Sequence, residues 1–423
     1  MDPVGLEGSV AGVRLATTFS DPVLRALTVA TLVATTGRGI SLTLVVLYLT
    51  LVVGLPPAQV ALLFTIGAAV AVGASYLGGR LADRWSARRM LVASMVVTGV
   101  ALLCYVLVTG FWSALAVTVV VGAGIAWSGS VRAAIIARAF SGPARVTSRA
   151  VLRMVTNIGI SLGAGLAAVA LAVGSPLAYR VVLAVGGVAY AACALLLTRL
   201  PSTVDAARVV ERSADGTVPG RSPWRDPRYL AFTALASVFA IQFGLAEVGV
   251  PLWLAHDTVA PEFLLSVMLI TNTVLVIVLQ VPLSRGTHDF RRAGAVTAVS
   301  GVLMAVACVL YGASGGAALA AAVVLLLAAA VAHAFAEILS QAGAWGLSFE
   351  LADPDRAGAY QGVYSMGFSV ASLVAPLVIT VTALDHGLAG WLVLGGLFLA
   401  SAVGVTAIAF AASTATRRPA AIS

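Results

Sequence analysis

The chain has 423 residues, 60% of them hydrophobic and only 10% charged, with a formal net charge of +8. Soluble domains carry about 25% charged residues, so a soluble enzyme is excluded, with or without a single anchor. A transmembrane helix takes roughly 20 apolar residues; the apolar supply matches twelve such spans with short loops, and the runs lack the alternation of a membrane β-barrel.

All 25 basic residues are Arg and none is Lys. That bias suits a GC-rich bacterial genome, so the positive balance points to no nucleic-acid partner. Cys104, Cys193 and Cys308 each lie inside an apolar run and are too separated for a metal motif, which leaves packing as their role. No metal or other cofactor is expected. The first residues carry Asp2 and Glu7 and lack the short apolar stretch of a signal peptide.

Apolar runs between breakers predict helices near 23–54, 58–84, 88–108, 111–139, 144–173 and 177–199. A second six follow near 228–255, 262–285, 291–313, 317–350, 356–384 and 388–414. Between the sixes, 200–226 is rich in Arg, Ser, Pro and Asp and is the one long polar stretch. The expected organisation is therefore an N-terminal six-helix bundle over 1–199, a cytoplasmic linker over 200–226 and a C-terminal bundle over 227–423.

Arginine placement sets the expected sidedness, because positive loops stay in the cytoplasm. With the N-terminus inside, all arginines except Arg38, Arg132, Arg153 and Arg180 fall on cytoplasmic segments or helix ends. Both termini are thus expected in the cytoplasm of a bacterial plasma membrane. The halves also echo one another: Arg88–Arg89 recurs as Arg291–Arg292 after the second helix of each half. Such repeats place a substrate site near the midplane, between the halves.

The stretch from Gly79 through Arg80, Leu81, Ala82, Asp83, Arg84, Trp85, Ser86 and Ala87 to Arg88 and Arg89 resembles the signature loop between helices 2 and 3 of the major facilitator superfamily. The resemblance extends over the whole chain as architecture and is closest to the twelve-span drug/proton antiporter branch. It implies two pseudo-symmetric six-helix bundles that expose a central site alternately to each face. It also implies a gating role for Gly79, Asp83, Arg84, Arg88 and Arg356, with Asp83 facing the N-terminus of helix 11. A carboxylate there is favoured by the helix dipole and by nearby Arg. Two positions depart from that branch: Thr118 stands where exporters carry Arg in helix 4, and helix 5 has Gly163-Ala164-Gly165 without the antiporter proline.

Ionisable groups inside the membrane carry the functional reading, since a charge at the bilayer centre costs at least about 2.5–3.5 kcal/mol and faces a partner or a cavity. Helix 10 carries His333, Glu337 and Gln341 at four-residue spacing, on one face. Helix 7 adds Gln242 and Glu247, and helix 8 adds Asn272. On the N-terminal side, Arg38 is mid-helix, and Arg149, Arg153, Asn157 and Ser161 form a stripe. Glu247 and Glu337, with His333 as a third, are the expected proton carriers. Arg38 and Arg153 either attract an anionic group of the substrate or pair with the acids across the halves. Trp127, Phe243, Trp345 and Tyr364, with Phe239 and Tyr360, are candidates for an aromatic wall around a flat ligand. Trp253 and Trp391 read as interfacial belt residues.

No nucleotide-binding Gly-x-x-x-x-Gly-Lys motif is present and there is no Lys to build one, so ATP is not an expected partner and the chain is not expected to be an enzyme. The expected partners are a small molecule, protons and membrane lipids, and the expected state is a monomer. The favoured activity is proton-coupled export of a small amphiphilic compound such as a drug or secondary metabolite. The alternatives are proton-coupled import of a sugar, peptide or organic acid, and a non-transporting receptor on the same fold.

Overall fold

The structure is a computed structural model that describes residues 21–205 and 220–417, and the regular elements among them are all helical. Eleven continuous helical runs are long and apolar enough to cross a membrane. The last of these, Pro354–Ala415, holds 62 residues. That is about 93 Å of helix at 1.5 Å per residue, three times a hydrocarbon core of about 30 Å. It is therefore two crossings, and the turn between them sits at Gly387, whose φ of 55° and ψ of −138° break the helix.

Among the described residues, twelve membrane helices result. The first half comprises α1 (Pro22–Val52), α2 (Pro57–Ala82), α3 (Ala87–Leu107), α4 (Phe111–Ala139), α5 (Pro143–Val173) and α6 (Pro176–Leu197). The second comprises α7 (Pro227–Asp257), α8 (Leu264–Leu283), α9 (Phe290–Ser314), α10 (Leu319–Glu350), α11 (357–384) and α12 (Asp385–Arg417). Capping explains where many of them begin. Asp21, Ser175 and Asp226 each accept backbone N–H bonds from the first turn and each precedes a proline at the first helical position. Ser86 and Asp289 cap α3 and α9 in the same way.

Each half has its own core. Leu27, Ile40, Tyr48, Tyr105 and Tyr190 anchor the first, and Tyr311, Ala329, Trp391 and Phe398 anchor the second. Outward, Leu42, Val97, Leu107, Val169, Leu269, Leu377 and Val403 are exposed, a surface suited to lipid chains. Two expectations fail here. Trp253 and Trp391 are buried, not interfacial; their rings meet edge-on at 5.6 Å, and the Trp253 indole donates to the Tyr311 carbonyl at 2.8 Å. Trp253 has its polar partner inside the bundle, and Trp391 packs there on the rings of Trp253 and Tyr311 with its Nε1 unpartnered.

Close helix approach replaces the missing hydrophobic drive inside lipid. At Gly39 an added Cβ would stand 2.3 Å from the Ile160 carbonyl, and at Gly163 it would stand 2.1 Å from that of Thr36, so α1 and α5 touch backbone to backbone. Gly39→Val should cost about 1–3 kcal/mol through overpacking and lower the melting temperature of the purified protein. Gly396→Ala, where a Cβ meets nothing within 4 Å, should leave melting unchanged or raise it.

Candidate functional site

The two halves meet tightly at one end of the molecule, the end that carries the α2–α3 and α4–α5 turns and most of the arginines. There α2 packs on α11, and α5 on α8 and α10. Asp83, the residue that closes α2, accepts hydrogen bonds from the backbone N–H groups of Gly358 (2.8 Å) and Ala359 (2.7 Å) at the start of α11. Arg138 of α4 donates to the same carboxylate, and both side chains are only about one-seventh exposed, at 14% and 15%. Burial pushes the Asp83 carboxyl up from its ordinary range, while Arg138 and the two N–H groups pull against that rise.

Gly79 makes the contact possible: a Cβ there would lie 2.3 Å from the Gly358 carbonyl. Further contacts close the same end. Arg145 faces Glu350 at 3.6 Å, Ser75 and Ser369 share a hydrogen bond at 2.8 Å, and Trp345, Phe349 and Ala357 of the second half are buried in the first-half core.

The rest of the expected gating set is elsewhere. Arg84 is exposed on the α2–α3 turn. Arg88 donates to the Leu200 carbonyl at 3.0 Å, and its backbone N–H, with the Ser86 hydroxyl, donates to Asp205. These bonds fasten the turn to the segment after α6 and make no contact with α11. Arg356 caps α11 with its Nε unpartnered. The guanidinium that holds Asp83 is Arg138, a residue the sequence reading took only as a topology marker.

Deeper in the membrane a second contact joins the halves. Arg153 of α5 forms an ion pair with Glu337 of α10, and Asn272 of α8 donates to the other carboxylate oxygen at 3.0 Å. Glu337 is 4% exposed. The Arg153 guanidinium lies over the Phe243 ring, 5.2 Å from its centre, and its Nε is buried without a partner. Glu247 sits in a π-turn, Leu245–Gly249, that interrupts α7, a distortion frequent at functional sites. It is exposed, yet the charged groups around it are Arg38, Arg153 and Glu337. An exposed carboxylate near two arginines of the opposite half, Arg38 and Arg153, faces the space between the halves, not lipid. Among the described residues, no hydrogen bond or ion pair joins the halves in the third of the bundle farthest from the Arg-rich end. Among the described residues, the polar contacts between the halves thus lie at the Arg-rich end and at mid-depth.

Not all expected site residues converge. His333 shares a helix face with Glu337 in sequence, but its ring turns to Tyr311 of α9, 3.5 Å from the hydroxyl, inside the second half. Gln242 is buried against the Ser340 hydroxyl at 3.0 Å. Together with Gln341 and Tyr364 it borders a crevice of about 30 Å³ within the second half, room for one water. Asn157 donates back to the Arg153 carbonyl of its own helix at 3.0 Å. The aromatic set splits as well. Phe243 and Trp345 lie beneath Arg153 and Arg149, whereas Trp127 packs on Gly78 and borders a groove at the Arg-rich end that Arg84, Trp85 and Asp355 also line. Phe239 packs on Phe398, and Tyr360 on Tyr229.

Asp83→Ala should loosen the closed end. Hydrogen bonds to charged groups contribute about 1.5–3 kcal/mol each, and every 1.4 kcal/mol is about tenfold in population. A cysteine placed at Ser75, a buried position, should react with a hydrophilic maleimide at least about tenfold faster in the Asp83→Ala background. An unchanged rate would mean that the carboxylate does not hold this end shut.

The sequence pattern of the Major Facilitator Superfamily matches residues 27–376. Among curated proteins no sequence matches. Several solved structures share the fold. A human organic anion transporter, MFSD10, is 15% identical with a TM-score of 0.70, covering 91% of this chain and 99% of that one. A bacterial homologue of the iron transporter ferroportin in an outward-facing state is 14% identical with a TM-score of 0.72, covering 93% and 99%. The transporter FucP in the outward conformation is 12% identical with a TM-score of 0.69, covering 91% and 97%. At such identities the likeness speaks for the fold alone; the family pattern covers most of the chain and speaks for descent. The chain belongs to the major facilitator superfamily of membrane transporters.

Proposed function

We propose that the chain is a proton-driven secondary transporter of a small amphiphilic compound in a bacterial plasma membrane. In this reading the Arg-rich end and both termini lie in the cytoplasm, as the positive-inside rule favours, and the clustering of polar contacts between the halves at that end supports an outward-facing conformation. Residues 1–199 and 227–423 rock against each other as two bundles, with 200–226 as the tether between them. Asp83 on the α11 N-terminus is the inner lock in this reading.

The observation that carries the proposal is the Arg153–Glu337 pair. It is an ion pair between the two moving halves, and Asn272 holds the carboxylate from a third helix. While Glu337 is ionised, separating it from Arg153 leaves a charge buried alone, and breaking a buried pair costs about 3–5 kcal/mol. Protonation from the open vestibule removes that cost: Glu337 becomes neutral and Arg153 is released. The halves can then part at the inner end, where the proton leaves to the cytoplasm and the pair re-forms. Glu247, exposed in the vestibule between Arg38 and Arg153, is the first group that an entering proton meets.

Export by antiport requires proton and substrate to exclude each other at this site, and import by symport requires them to load together. One observation favours symport: Arg153 serves Glu337 and is also available to an acidic substrate, so protonating Glu337 frees the hand that would take the substrate.

The test uses protein reconstituted in liposomes with a panel of amphiphilic dyes and an imposed pH gradient. The wild type should move at least one dye at a rate that rises with the gradient. Glu337→Gln should lose that dependence, with driven transport at least about tenfold slower. Transport by the wild type that ignores the gradient, or a Gln variant that behaves like it, would contradict the coupling scheme.

A further inference from the structure

Four arginines reach into the membrane interior of the first half: Arg38 from α1, Arg132 from α4, and Arg149 and Arg153 from α5. They lie near enough to act on one another in sequence, Arg38 on Arg132, Arg132 on Arg149 and Arg149 on Arg153. Among the described residues, the carboxylates that act on them are Glu247 and Glu337, both from the second half. Four cations against two anions leave a surplus of two positive charges at a depth where one unpaired charge is already costly.

The partners each arginine has show where that surplus is concentrated. Arg132 donates to the Thr31 hydroxyl at 3.0 Å and lies beside Tyr190 and Cys193, a group satisfied within its own half. Arg153 is paired but keeps a buried Nε donor with no acceptor. Arg38 and Arg149 make no hydrogen bond or ion pair among the described residues. Arg149 lies 5.7 Å from the Trp345 ring centre, and Arg38 and Glu247 are near enough for their charges to act on one another. Unused guanidinium donors therefore line the route from the vestibule to the closed end. Apolar rings back them: Phe243 under Arg153, with Phe368 5.3 Å beyond, and Trp345 under Arg149.

We propose that the substrate is an organic anion with a flat apolar body, held by Arg38 and Arg153 in the vestibule and passed to Arg149 when the inner end opens, and that it travels in the same direction as the proton. This rests on the reading of Glu337 as the proton carrier. While Glu337 is ionised, an anion on Arg153 would put a second negative charge beside the Glu337 carboxylate on one guanidinium, and the two would repel. Loading the anion on Arg153 requires Glu337 to be neutral, so proton and anion bind cooperatively. The groups that set the Glu337 charge are Arg153 from α5, Asn272 from α8, Glu247 from α7 and His333 on α10 itself, with Tyr311 of α9 behind His333. A cationic amphiphile would meet the surplus positive charge instead and be repelled.

Binding to the purified full chain, read as thermal stabilisation without any gradient, tests this with four naphthalene probes of matched body. They are naphthalene-2-sulfonate and 2-naphthoate as anions, naphthalene-2-sulfonamide as the neutral form, and a naphthyl-trimethylammonium cation. Both anions should stabilise the wild type at least about tenfold more effectively than the neutral or cationic probe, and more strongly at pH 5.5 than at pH 7.5. Arg38→Gln should weaken the anions about tenfold, while Arg38→Lys, which keeps the charge, should retain most of the binding; melting without ligand reports folding.

No preference for the anions, or an Arg38→Gln variant that folds and binds them as the wild type does, would overturn the anion seat and leave the proton reading standing. A clear anion preference that does not vary with pH, or that strengthens at pH 7.5, would overturn the shared loading. In that case the role of Glu337 fails while the seat survives.

Discussion

A carboxylate buried at membrane depth stays ionised only while it keeps a cation, and the cation that Glu337 keeps belongs to the other half of the molecule. That constraint links charge state to conformation. The halves cannot separate around Glu337 without either stranding a charge or adding a proton, and the first is costly enough to forbid it. Asp83 applies the same logic at the closed end, with helix N–H groups and Arg138 in place of a single guanidinium. Nearer the other end, Glu247 and Arg38 act on one another as charges without a bond between them. One end shut by satisfied carboxylates and the other lined by unsatisfied charge is an arrangement that a change of protonation can reverse.

Much of this architecture was legible in the residues themselves. Composition alone gave the number of spans, because apolar length per crossing is fixed by the bilayer. The stretch around Asp83 placed its carboxylate against α11 through family resemblance, and the structure puts two backbone N–H groups of α11 on it. The intramembrane Glu and Arg residues were conspicuous because nothing apolar surrounds a charge without reason. What could not be read was pairing. Spacing of four puts His333 and Glu337 on one stripe, yet successive positions at that spacing rotate by tens of degrees. That rotation turns His333 to Tyr311 of α9 while Glu337 reaches Arg153.

Arg138 was missed for a related reason. An arginine near a helix end satisfies the positive-inside pattern whatever else it does, so its second role leaves no mark in the sequence. Trp253 and Trp391 misled in the opposite sense. Tryptophans near helix ends usually sit among lipid headgroups, but these two found carbonyl and ring partners inside the bundle. The π-turn that carries Glu247 has no sequence signal beyond nearby Gly244, Gly249 and Pro251, residues equally at home in an ordinary kink.

The central claim is that protonating Glu337 uncouples the halves. Spin labels at Val173 on α5 and Val259 after α7, both exposed near the far end, report its opening directly, with the three native cysteines replaced and the protein in lipid nanodiscs. The account predicts that acidification from pH 8 to pH 5.5 shifts the distance distribution of the wild type towards shorter separations. It also predicts that Glu337→Gln shows the shortened distribution at both pH values. Distances that ignore pH in the wild type, or a Gln variant that keeps the full pH response, would contradict it.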